Sequence, residues 1–180
     1  MNRRRLIKAT ALAAAATLLG GHTPYGQWVV YRKKHLLIGC HRADPQTYDL
    51  AKQIVAVLKE RLPKARARVA RAPNAGRLAS LLGTDQMDVA VLGWADALAM
   101  LKGEAAFEPY GPIPLRLIAA VGDRALVAHE RFPARHSWLV RAALPPRPFG
   151  RSDVRTEAAQ IELHPGSQAF VEGKPQPPTD

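Results

Sequence analysis

A thiol and an imidazole stand side by side at Cys40-His41, and a guanidinium follows at Arg42. A thiol beside a base would suit nucleophilic catalysis. In a strand, however, adjacent side chains point to opposite faces, so Cys40 reads as a buried residue at a strand end. His41 and Arg42 then have two roles open to them: pairing with a ligand, or facing solvent. Arg77 carries the fork that takes a carboxylate through two parallel hydrogen bonds, with solvation as its alternative. Trp94 either lines a pocket or presents a docking surface, and Asp96 suits the free N–H groups of a helix's first turn. His129, His136 and His164 are too scattered to hold a metal, and no nucleophile with a matched acid and base stands out. These residues predict binding rather than catalysis, with no metal and no cofactor.

The elements that must position these groups alternate. Leu36-Leu37-Ile38-Gly39, Arg68-Val69-Ala70-Arg71 and Asp88-Val89-Ala90-Val91-Leu92-Gly93 read as strands, and 45–62, 75–82 and 95–102 as helices. Strands alternating with helices predict βαβ units, hence an α/β fold around an open, mostly parallel sheet flanked by helices. In such a sheet ligands bind outside the carboxyl ends of the strands, which points to turns 40–46, 73–77 and 93–96. The first helix is the clearest element. Asp44 suits its N-cap and Pro45 its first position, Leu50, Ile54, Val57, Leu58 and Leu62 share a face, and Pro63 stops it. After a proline-punctuated loop, 115–121 and 125–128 read as strands about a Gly122-Asp123 turn, and 134–144 as a helix. The lobe thus spans 35–144. A surface connection covers 145–160, a segment packing on the lobe 161–173, and a disordered tail 174–180.

The formal charge of +11 is lopsided. Residues 1–34 hold seven basic residues and no acidic one, which leaves 19 basic and 15 acidic residues, or +4, for the remainder. That is an ordinary surface, without the stacking platform or basic recognition helix a nucleic-acid partner requires. The basic stretch precedes an apolar run at 9–19 that is too short for an ordinary membrane span, so 1–24 reads as an export signal and 25–34 as a linker. Arg3, Arg4 and Lys8 have the spacing of the twin-arginine pattern. The expected location is the periplasm, free or held at the inner membrane by an uncleaved signal. The single Cys40 excludes an intramolecular disulfide.

Several segments, in this order, resemble the TAXI-type solute-binding subunits of TRAP transporters. They are Leu36-Leu37-Ile38-Gly39 with Thr47-Tyr48-Asp49-Leu50-Ala51, then Leu81-Leu82-Gly83-Thr84-Asp85-Gln86-Met87-Asp88-Val89-Ala90-Val91-Leu92, Pro112-Ile113-Pro114-Leu115-Arg116-Leu117-Ile118-Ala119, Leu126-Val127-Ala128 and Leu163-His164-Pro165-Gly166-Ser167. The resemblance implies a single lobe of the type II periplasmic-binding-protein kind, related to the family's first lobe, with the second lobe missing. It places Thr47, Tyr48 and Asn74 at family positions near the ligand, Asn74 having a helix cap as its alternative and Tyr48 plain packing. It also exposes a departure. The family has a Gly/Ser/Thr-rich loop that brings N–H groups to an anion, whereas here Asp44 would occupy the anion's place and Pro45 removes a donor. The implied function is a periplasmic solute-binding subunit that takes a small organic carboxylate or polar solute, weakly or with a partner, and serves a TRAP membrane permease or another periplasmic chain. The alternative is a non-transport periplasmic interaction module that has lost the pocket and docks a protein through Trp94 and Trp138.

Overall fold

The computed structural model describes residues 34–146 and 160–178. The export signal with Arg3, Arg4 and Lys8, the linker up to residue 33 and most of the surface connection (147–159) lie outside the described residues. So do the last two residues of the tail.

Apolar side chains on both faces of a strand can be buried only if helices cover both faces. Strand β3 (Val89–Gly93) is buried from Val89 through Leu92, and the alternation of its side chains feeds two separate cores. Val89 and Val91 join Ile38 and Cys40 of β1 (Leu37–His41) and Leu126 and Ala128 of β5 (Arg124–His129) in one core, under helix α1 (Pro45–Arg61). Ala90 and Leu92 join Ala125 and Val127 in the other, under α2 (Ala75–Gly83) and α3 (Trp94–Lys102). The result is a three-layer α/β arrangement.

Local chemistry sets the ends of α1. Asp44 is its N-cap, accepting a hydrogen bond from the Gln46 N–H at 3.1 Å, and Pro45 opens the first turn. Leu50, Ile54 and Leu58 face the sheet, and Lys59 and Arg61 complement the carbonyl end of the helix. The chain then turns through Pro63–Ala65 into β2 (Arg68–Ala72).

The five-stranded sheet runs β2-β1-β3-β5-β4, with β4 at Leu115–Val121. It is mixed rather than mostly parallel in its pairing. β1 pairs parallel with β2 and β3, whereas β5 pairs antiparallel with both β3 and β4. The reversal comes from the two-residue connection Gly122-Asp123, with Gly122 at φ +54, which can join only antiparallel neighbours. β4 carries a register shift between Leu117 and Ala119. Ile118 and Ala119 therefore both enter the α1-side core while Leu117 and Ala120 serve the other.

Helix α4 (Ala134–Ala143) and the C-terminal α5 (Pro165–Val171) pack closely. The Ser137 and Ser167 hydroxyls are hydrogen-bonded at 2.7 Å, and Trp138 meets Phe170 edge-on at 5.5 Å. A side chain at Gly166 would run into the Ala134 carbonyl. Just before α5, the chain bridges β4: the Leu117 N–H donates to Glu162 O and the His164 N–H donates to Leu117 O, both at 2.8 Å. Residues 174–178 have no regular secondary structure, and the Lys174 carbonyl accepts from Trp138 Nε1 at 3.2 Å.

His164 is almost fully buried, its Nδ1 accepting from the Gly166 N–H and its ring edge-on to Phe132. Burial pushes its pKa below the ordinary 6.5, a neighbouring Phe132 backbone bond opposes that, and Arg116 adds to it. His129 shifts the same way, again mainly by burial. On acidification the unfolded chain takes up these protons first, so the stability that neutral imidazoles contribute is complete above pH 6.5. It is lost as pH falls through that value toward the folded-state pKa. The urea midpoint is expected to drop between pH 7.5 and 5.5. His164→Asn, which keeps an acceptor for Gly166, should shrink the drop, and an unchanged pH profile would refute the assignment to His164.

Candidate functional site

Parallel neighbours β2, β1 and β3 bring the three expected turns to one edge of the sheet, at the carboxyl ends of the strands. The connection from β1 to β2 passes over one face through α1, and that from β2 to β3 returns over the other through α2. The crossovers therefore diverge about β1, the switch-point geometry at which open α/β sheets bind ligands.

On the α1 face the edge is closed by charge. Arg124, opposite Gly93 in the β3–β5 register, extends its guanidinium to the N-terminus of α1. Its Nε lies 3.0 Å from Asp44 Oδ2, and its Nη2 donates to Asp44 Oδ1 at 3.2 Å and to Gln46 Oε1 at 2.7 Å. Nη1 takes Asp123 Oδ2 at 2.6 Å. Asp44 caps α1 and is paired in place by Arg124, which Asp123 shares. Both side chains are largely withdrawn from water, 16% and 21% exposed, so the pair is screened less than a surface bridge. Arg124 and Gln46 were not foreseen from the sequence. Their role depends on β5 lying beside β3, an arrangement that residue spacing does not encode.

On the opposite face the edge holds His41. The residue is 3% exposed, and neither ring nitrogen makes a hydrogen bond among the described residues. Its Nε2 lies 3.5 Å from Asp96 Oδ2, in the first turn of α3. Asp96 does not cap that helix as its position suggested. Gly93 is the N-cap and no side chain bonds the first-turn N–H groups, because the carboxylate is turned toward His41.

The other expected residues are spent locally. Thr47 is fully buried and its hydroxyl donates to Asp44 O at 2.7 Å. The Tyr48 ring lies between two cations, Arg71 at 4.4 Å and Lys52 at 4.6 Å from its centroid, and packs against the α1-side core. Asn74 caps α2, its Oδ1 accepting from the Arg77 N–H at 2.8 Å. Arg42 and Arg77 are exposed, the latter within 3.4 Å of Ser80 Oγ. Trp94 is 4% exposed in the α2–α3 core and donates to Gly122 O at 3.2 Å. Trp138 is half-buried against the chain's own C-terminal segment. Cys40 is buried, with its thiol 3.7 Å from Ala70 O; burial raises its pKa to about 11, against the lowering influence of Arg71. A thiol held that high is protonated at neutral pH and is not a nucleophile.

No protein-family model and no curated protein matches the chain. Among solved structures, it is similar to PhnD1 from Prochlorococcus marinus (MIT 9301) in complex with methylphosphonate, at 14% identity and a TM-score of 0.34. The match covers 49% of this chain and 30% of that one, so it spans less than a third of the other protein's length.

The Asp44–Arg124 pair makes a direct prediction. A double-mutant cycle of Asp44→Asn and Arg124→Gln, followed by urea unfolding, should give a coupling of about 1 kcal/mol. Strict additivity of the two substitutions would show that the pair contributes nothing.

Proposed function

We propose that the chain is a single-lobe solute-binding protein of the TAXI type. It takes a small organic carboxylate or other polar solute at the carboxyl ends of β1 and β3. The observation that carries this reading is His41: a buried imidazole at a switch-point edge, with no hydrogen-bond partner among the described residues. A buried polar group left unpaired costs about 1–3 kcal/mol, which a solute hydroxyl or carboxylate would recover by bonding the ring. Asp96 orients the imidazole, and the uncapped first turn of α3 adds N–H donors beside it. The α1 terminus, already filled by Asp44 and Arg124, is not part of this site. One lobe leaves a small ligand half in water, so affinity is weak unless a second chain, such as a TRAP permease, covers the edge.

The filled α1 terminus favours a second reading, in which the lobe is a periplasmic interaction module that no longer binds solute. A thermal-shift panel of small carboxylates and polyols separates the two. A ligand at a hundred times its Kd adds about 2.7 kcal/mol and moves the midpoint by several degrees. That shift should vanish in His41→Ala. A flat panel, or a shift that survives His41→Ala, would discard the solute reading.

The resemblance and the Arg3-Arg4 pair both support export to the periplasm. Replacing Arg3 and Arg4 together with Lys should hold the precursor in the cytoplasm, as read by fractionation. Undiminished periplasmic delivery would remove the twin-arginine route.

A further inference from the structure

At the opposite edge of the sheet, where β1 and β3 begin and β5 ends, a cavity of about 480 Å³ opens between the turn 62–65 that follows α1 and helix α4. Its volume is within the range of small-molecule sites, roughly 300–1,000 Å³. The lining divides by chemistry. The partly buried Leu36, Leu62 and Leu139 form an apolar floor, backed by the buried Phe132 and Val140. The exposed Lys34 and Lys64 stand at the wall, and neither makes an ion pair with a described residue. The one carboxylate in the lining, Asp88, is already held by Arg131 Nε at 3.1 Å. Helix α4 reaches the cavity through Pro133 and His136, with no side-chain cap and no acidic residue in its first turn. The cavity is thus apolar at the base and cationic at the wall, with its one carboxylate engaged by Arg131, which Asp85 shares.

We propose that this cavity is a second binding site, for an amphipathic carboxylate whose apolar body lies on Leu36, Leu62 and Leu139 and whose anion meets Lys34 and Lys64. Apolar burial supplies most of the affinity and the lysines select the anion, since an ammonium discriminates charge where an apolar floor cannot. The site is separate from the His41 edge and does not depend on solute binding there.

The probe is 2-naphthoate, titrated calorimetrically into the full chain, with 2-naphthylmethanol as its uncharged counterpart. Naphthoate should bind saturably at one site, and the alcohol at least ten-fold more weakly. Lys34→Glu with Lys64→Glu should weaken naphthoate at least ten-fold while leaving the thermal midpoint close to that of the wild type, because both side chains are exposed. Leu139→Trp, which fills the cavity from α4, should also weaken it, and His41→Ala should bind it as the wild type does. The proposal is overturned if binding is not saturable, if acid and alcohol bind equally, if the charge reversals change nothing, or if His41→Ala abolishes binding.

Discussion

Burial of both faces of the central strands is the constraint from which the rest of the molecule follows. With β1, β3 and β5 apolar on each side, no single layer of helices suffices, so the crossovers from β1 and β2 must pass to opposite faces. Once they diverge, the carboxyl ends of β1 and β3 can no longer be covered by the same connection. The edge that carries His41 is therefore a by-product of satisfying the core, and it exists without any ligand. The antiparallel β5 completes the arrangement: it adds a third strand buried on both sides and places its first residue, Arg124, at that same edge.

At that edge the two faces have gone different ways chemically. The longer helix, α1, has the stronger claim to an anion, yet its terminus is satisfied from within by a carboxylate and a guanidinium contributed by residues eighty positions apart. The shorter α3 has no side-chain cap and faces an imidazole without a hydrogen bond among the described residues.

Much of the fold was legible because its signals are local. Asp44-Pro45 and Pro63 marked α1 to within a residue of its observed end, and the β4 bounds were read from the apolar run 115–121. Helix α3 begins one residue earlier than its pattern suggested, at Trp94, since Gly93 serves as its cap without a side chain. The short 3-10 segment Ala105–Tyr110 has no signal in the sequence beyond a loop, because Pro109 reads as a breaker although so tight a turn accommodates it. What could not be read were facts of tertiary placement. The fate of Trp94 depends on the Gly122 carbonyl, and the closure of α1 depends on Arg124; both come from a hairpin whose position beside β3 has no local signature. For the same reason, spacing alone left Asn74 with two roles until its bond to the Arg77 N–H showed it capping a helix.

The bridge from Leu163 to β4 bears on the order in which the sheet can be finished. Strand β4 is an edge strand, and the segment that bridges to it follows Leu117 by more than forty residues. Until Glu162 and His164 emerge, the Leu117 N–H and carbonyl have no partner on that side, and α4 has no α5 against it. The other edge, β2, carries the exposed charges Arg68 and Arg71, which discourage pairing with a foreign strand; β4 has buried apolar residues instead. A chain that stops short of Glu162 therefore presents an adhesive strand edge at Leu117, which the bridge from Leu163 closes.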